Sequence, residues 1–107
     1  MPMSSATWSF SAPGNGGTQS FEGHYWAAQA KAVCSSGNVS ATVVIEASNI
    51  PGDMGAWQTL ATLTVSSGSS PQYQVATGGP IGWAGVRARC TSLTGTGASV
   101  LVVFGAK

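Results

Sequence analysis

Few of the 107 residues carry groups suited to acid–base or ionic chemistry. The carboxylates are Glu22, Glu46 and Asp53, the one imidazole is His24, and the cations are Lys31, Arg87, Arg89 and Lys107. Cys34 and Cys90 add two thiols. As a catalytic base, His24 would need a nucleophile and an orienting acid. Serines abound, but no Gly-x-Ser-x-Gly elbow is present, and no two carboxylates stand at close spacing. His24, between Gly23 and Tyr25, therefore reads as a histidine at a strand edge. Loop 49–55 holds one carboxylate, Asp53, where a calcium site usually needs several oxygen ligands and more than one acid. It reads as a tight turn or long hairpin loop. Thr94-Gly95-Thr96-Gly97 has the Gly-x-Gly of phosphate loops, yet no helix follows to supply aligned amides. It reads as a hairpin turn. No catalytic, cofactor-binding or metal-binding set can be assembled, and the chain is expected not to be an enzyme.

Arg87 and Arg89 lie two apart on one strand, and so on one face. Adjacent guanidiniums repel unless carboxylates or carbonyls answer them. Glu46 and Glu22 are the strand-borne acids able to do so. The alternative is docking of the arginines on an acidic patch of a partner subunit. Trp8, Trp26, Trp57 and Trp83 could stack on sugars, but such sites usually add Asp, Asn and Gln, and acids are scarce here. Tryptophans in a small β domain more often plug a core or an interface. The order Cys34, Trp57, Cys90 invites an immunoglobulin reading. It fails, because the tryptophan lies too far beyond the first cysteine and Ala88 stands where that fold has its corner tyrosine. The cysteines read as buried thiols of a reducing compartment, with a disulfide left open to where the strands fall.

The elements that must position these groups are strands. Hydrophobic residues make up 43% of the chain, too many for a disordered tail. Charged residues make up 7%, against a usual level of about 25%. The net charge of +1 gives no basic surface for a nucleic-acid backbone. No apolar run reaches the roughly 20 residues of a membrane helix. Starting at Met1, no basic region leads into an apolar stretch, so synthesis without export is expected. Turn clusters recur at 13–17, 35–38, 49–55, 66–71, 78–80 and 94–97. Between them apolar residues alternate: Val39, Ala41, Val43, Ile45 and Ala47; Val86, Ala88 and Cys90; Ala98, Val100, Val102 and Phe104. Trp26, Ala28, Ala30, Ala32 and Cys34 form a strand whose inner face is small because a bulky partner covers it. Residues 7–11, 57–65 and 73–77 complete about seven strands. The expectation is one all-β domain, a single antiparallel β-sandwich, jelly-roll-like or Ig-like. Residues 1–17 form an N-terminal arm and first strand, and residues 18–107 the sandwich.

A free soluble domain keeps about 25–35% charged residues on its surface. Faces of Ser, Thr, Gly and Gln suit permanent contacts, where desolvating a charge would be costly. Much of this surface is therefore expected to be buried between subunits of a homo-oligomer.

Several runs carry a resemblance. Val43-Val44-Ile45-Glu46-Ala47-Ser48-Asn49 leads through a Pro-Gly loop to Trp57-Gln58-Thr59-Leu60-Ala61-Thr62-Leu63-Thr64. Later come Trp83-Ala84-Gly85-Val86-Arg87-Ala88-Arg89 and Thr91-Ser92-Leu93-Thr94-Gly95-Thr96-Gly97-Ala98. Over residues 39–104 this resembles the small β-sandwich virion proteins of tailed bacteriophages. The resemblance implies a capsid decoration, or cement, protein made in the host bacterial cytoplasm. Such a protein binds the outer surface of the mature head as a dimer or trimer and clamps the major capsid protein lattice. The resemblance brings no catalytic residues, and no cofactor, nucleic-acid partner or membrane is expected. On that reading Trp8 and Phe10 are apolar anchors of an arm laid across a neighbour, and Arg87, Arg89 and Trp83 are contact residues. A tail, baseplate or fibre protein of the virion is the alternative, and a carbohydrate-binding module is a third reading.

Overall fold

Alternating Val, Ala and Thr resolve into nine β-strands in the computed structural model, which describes residues 4–48, 57–80 and 82–107, the side chains of 4 and 82–84 excepted. They are β1 (Ser4–Phe10), β2 (Gly14–Asn15), β3 (Gln19–Gly23), β4 (Trp26–Val33), β5 (Ser36–Ser48), β6 (Gln58–Ser69), β7 (Gln72–Gly78), β8 (Gly82–Thr96) and β9 (Ser99–Ala106). Loop 49–55, with Asp53, lies outside the described residues.

Two antiparallel sheets pack face to face. The first has the order β1-β9-β4-β7; the second has β2-β8-β5-β6, with β3 also paired to β8. Taking β2 and β3 as two parts of one interrupted strand beside β8, this is the eight-strand order of a jelly roll, the first of the two expected forms. Among the described strands, β5 and β6 are the consecutive pair joined as a hairpin. The other links, the short β2–β3 step aside, carry the chain from one sheet to the other. The turn at 94–97 is one of these. Its residues read as a hairpin, but β8 and β9 belong to different sheets. Gly97 sits at φ +62°, where a side chain would also meet the Ser35 hydroxyl at 2.7 Å, so glycine is required there.

The small inner face of β4 does meet bulky partners. Trp26, Ala28, Ala30 and Ala32 are buried, and Val39, Val43, Ile45, Leu63 and Val65 of the second sheet fill the same core. β9 supplies Val100, Val102, Phe104 and Ala106. Phe104 is fully buried and meets aromatic rings from both sheets: Trp26 stacked at 5.7 Å and Phe21 of β3 edge-on at 4.9 Å. Such pairs add to the stabilisation from apolar burial.

The expected N-terminal arm is part of the sandwich. β1 pairs with β9 from Ser4 opposite Ala106 to Phe10 opposite Val100. Its residues alternate, with Trp8 and Phe10 inward and Ser5, Thr7 and Ser9 exposed. After Phe10 the chain crosses to the second sheet, where Gly14 and Asn15 pair with Cys90 and Arg89. The segment from residue 4 to residue 17 thus spans both layers.

Replacing Phe104 with Ala should remove about 3–5 kcal/mol of stability. Chemical denaturation should show a lower midpoint with an unchanged slope.

Candidate functional site

The β5–β8 register sets Glu46 directly opposite Arg87 and Val44 opposite Arg89. With Ile45, Ala47, Val86 and Ala88 turned into the core, these residues stand on the outer face of the second sheet. Arg87 Nε donates to Glu46 Oε1 at 3.0 Å. Arg89 donates from Nε to Oε1 and from Nη2 to Oε2, both at 3.3 Å. The Arg87 guanidinium also lies 4.3 Å from the centroid of the Trp57 ring. The Glu46 and Arg87 side chains are only 9% and 16% exposed, whereas that of Arg89 is 40% exposed.

This arrangement resolves the pairing of the two arginines. Of the two candidate acids, Glu46 meets both. A partly buried carboxylate is costly unless paired and hydrogen-bonded, and both Glu46 oxygens accept guanidinium N–H groups. Trp57 adds a cation–π contact worth roughly 0.5–2 kcal/mol. The cluster ties β5 to β8 and closes over the start of β6. The sequence reading does not group Trp57 with the arginines. Trp57 comes within reach only because β6 pairs Thr59 with Glu46, a register that the sequence does not display.

Trp8 and Phe10 lie elsewhere. The resemblance makes both anchors for a neighbouring molecule, yet both are buried in this chain's own core, 6% and 8% exposed. Trp8 Nε1 donates to the Gly17 carbonyl at 2.7 Å. A Cβ on Gly16 would stand 2.4 Å from the Trp8 ring and 2.9 Å from the Ala88 carbonyl, so the indole fits only over glycine. Their burial satisfies the apolar side chains within the fold. Trp83 lies in β8, and its side chain is outside the described residues. His24 is exposed between β3 and β4, and its backbone N–H donates to the Lys107 carbonyl at 2.9 Å.

The thiols are unbonded to each other. Cys90 is buried and donates to the Ser92 carbonyl at 3.4 Å; burial pushes its pKa up. Cys34 is half-buried, which departs from the expectation of two interior thiols, and donates to the Gly37 carbonyl at 3.3 Å. Among the described residues no three of His, Cys, Asp and Glu gather as a metal-binding group.

A second feature is a surface. The large hydrophobic residues exposed among the described residues are Tyr25, Tyr73, Val75, Leu101 and Val103. Tyr73 and Val75 of β7 and Leu101 and Val103 of β9 stand on the outer face of the first sheet, and Tyr25 adjoins its end. Across the strands this face has rows. Ser5, Gly105, Ala27 and Thr77 make one; Thr7, Val103, Gln29 and Val75 the next; Ser9, Leu101, Lys31 and Tyr73 the third. The small residues of the first row floor a groove of about 400 Å3, walled by Tyr25, Val75 and Val103. Lys31 is the one charged residue in the three rows, 5.9 Å from the Tyr73 ring centroid.

Compared with known proteins, the chain matches no protein-family model, no curated protein and no solved structure.

Two measurements test these placements. Glu46→Ala should lower stability by about 3 kcal/mol, the low end for a broken buried pair because Arg89 can turn to water. Glu46→Gln should lose less. Ellman's reagent should titrate Cys34 in the native protein and Cys90 only after unfolding. Folded Cys90 holds its proton more tightly than unfolded Cys90. Its contribution is therefore complete below the ordinary thiol range and falls as pH rises through and above it. Denaturation midpoints should decline there in wild type and decline less in Cys90→Ala.

Proposed function

We propose that this chain is a non-enzymatic structural protein of a tailed-bacteriophage virion, a capsid decoration or cement protein. It binds the outer surface of the mature head and clamps neighbouring major capsid proteins against the pressure of packaged DNA. The observation that carries this reading is where the charges stand. Three of the seven charged residues, Glu46, Arg87 and Arg89, are paired with one another. The broad outer faces are left rich in hydroxyls and short apolar groups. Such faces can be desolvated over a wide area without stripping water from unpaired charges.

The jelly-roll order adds support by analogy of fold, since double-sheet jelly rolls recur in viral capsid and lectin domains. The resemblance over residues 39–104 points the same way. The mechanism is mass action. A protein that binds only the assembled, expanded lattice stabilises it relative to every state it does not bind. An oligomer touching several capsid proteins gains further through effective concentration. The Glu46 cluster and the Phe104 core would keep the clamp from yielding under outward load.

Quantitative mass spectrometry of purified particles tests the reading. A copy number approaching that of the major capsid protein is expected. A handful of copies would overturn lattice-wide binding in favour of a tail, baseplate or fibre position. Absence from the particle would overturn the virion reading.

A further inference from the structure

We propose that the outer face of the first sheet binds a second copy of this chain, as a two-fold dimer with its axis lying in the face and crossing the strands at Gln29 and Val103. The rows of that face are complementary to one another. The row of Leu101, Lys31 and Tyr73 stands out, while the row of Gly105 and Ala27 is hollow. Rotation about the middle row lays each raised row over the other copy's hollow row. Leu101 enters the groove floored by Gly105 and Ala27, Tyr73 covers Thr77, and Val103 meets its own counterpart. One patch thus supplies both halves of the fit, as an isologous contact requires.

Charge and area favour this occupant. The raised and hollow rows are four residues apart along the strands, about 14 Å. The two Lys31 ammoniums of the dimer stand at opposite ends of the contact, separated by more than the roughly 8–10 Å over which salt screens surface charges. No acidic side chain stands in the three rows, so a basic partner would find nothing to pair with, and an acidic one would find Lys31 at one end and Lys107 on the rim of the groove at the other. The stretch between the two cations is neutral, and it is this stretch that a second copy covers. Four strands about 4.8 Å apart, each presenting some seven residues at about 3.4 Å, make a footprint near 20 by 25 Å. Side chains and the flanking Tyr25 raise its accessible area toward the roughly 800 Å2 per partner of a standard interface. The molecule is only 17 Å thick against 40 and 28 Å across, so a broad face is its natural contact.

Sedimentation of the full chain over the micromolar range tests this. Wild type should be a dimer. Leu101→Lys puts an ammonium into the hollow row, and Ala27→Glu puts a carboxylate on its floor. Leu101→Lys alone should weaken self-association by roughly a hundredfold or more, because its ammonium is buried with no acid to answer it. Ala27→Glu alone should leave the dimer intact, because its carboxylate meets the other copy's Lys31. Both positions are exposed in the single chain, so circular dichroism and unfolding midpoints should stay near wild type. Mixed together, the two variants should form a heterodimer, with the introduced ammonium of one facing the introduced carboxylate of the other. A wild-type monomer, a trimer, a dimer indifferent to Leu101→Lys or broken by Ala27→Glu, or a mixture that fails to pair would each overturn the assignment. None of these outcomes bears on whether the chain is found on particles, which the copy-number measurement decides separately.

Discussion

Phe104 carries an aromatic contact that joins the two sheets inside their shared core. It belongs to β9 of the first sheet, stacks on Trp26 of the neighbouring β4, and meets Phe21 of the second sheet edge-on. β4 offers mostly alanines to the interior, so its own side chains cannot reach far across the gap. The aromatic group supplies bulk where β4 does not. Interiors pack as densely as organic crystals, so the alanines of β4 and the valines and isoleucine of β5 are parts of one fit. Gly78 opposite Trp26 belongs to the same fit, since a Cβ there would strike the indole at 2.4 Å.

The Glu46 cluster works on the other side of β5. A strand with a fully buried inner face usually turns its outer face to water. At Val44 and Glu46 the outer face of β5 is covered as well, 9% and 7% exposed. The middle of the second sheet is therefore shielded on both sides, by apolar packing within and by two guanidiniums and an indole without. Among the described residues the first sheet has no such cover, and its outer face carries the exposed tyrosines, valines and leucine. The asymmetry gives the sandwich one self-contained face and one face with apolar surface still open to contact.

How much of this is legible in the sequence follows from how each residue signals. β4, β5 and β9 alternate cleanly, and their inward residues are those the alternation names. β2 and β3 leave little trace, because Gly14 and Asn15 both face solvent and β3 turns inward at Phe21 alone. β8 runs well beyond the Val86–Cys90 alternation. A bulge between its pairings with Thr42 and Val43 breaks the period there. Turn residues mark a reversal of the chain but not which sheet receives the next strand, so the 94–97 turn looks like a hairpin. Of the site residues, the arginine pair and its Glu46 partner can be read from scarcity, since few acids are available to answer two cations. The burial of Trp8 and Phe10 is also readable, because Ser9 between them gives a core strand's alternation. Trp57 reaches Arg87 through a fold-dependent approach that no spacing along the chain encodes.

The position of β9 has a consequence for synthesis. It lies between β1 and β4 and is hydrogen-bonded to both, yet it follows all eight other strands in the chain. As the polypeptide leaves the ribosome, β1 and β4 emerge early with no strand between them. The second sheet can assemble from β2 through β8 during that time, but the first cannot close. Trp8, Phe10 and the alanines of β4 must wait beside an empty lane, and such half-made sheets pair readily with other nascent chains. Messages translated by closely spaced ribosomes would put many unfinished copies side by side. The interval before β9 arrives is therefore the one in which this protein has most need of a chaperone.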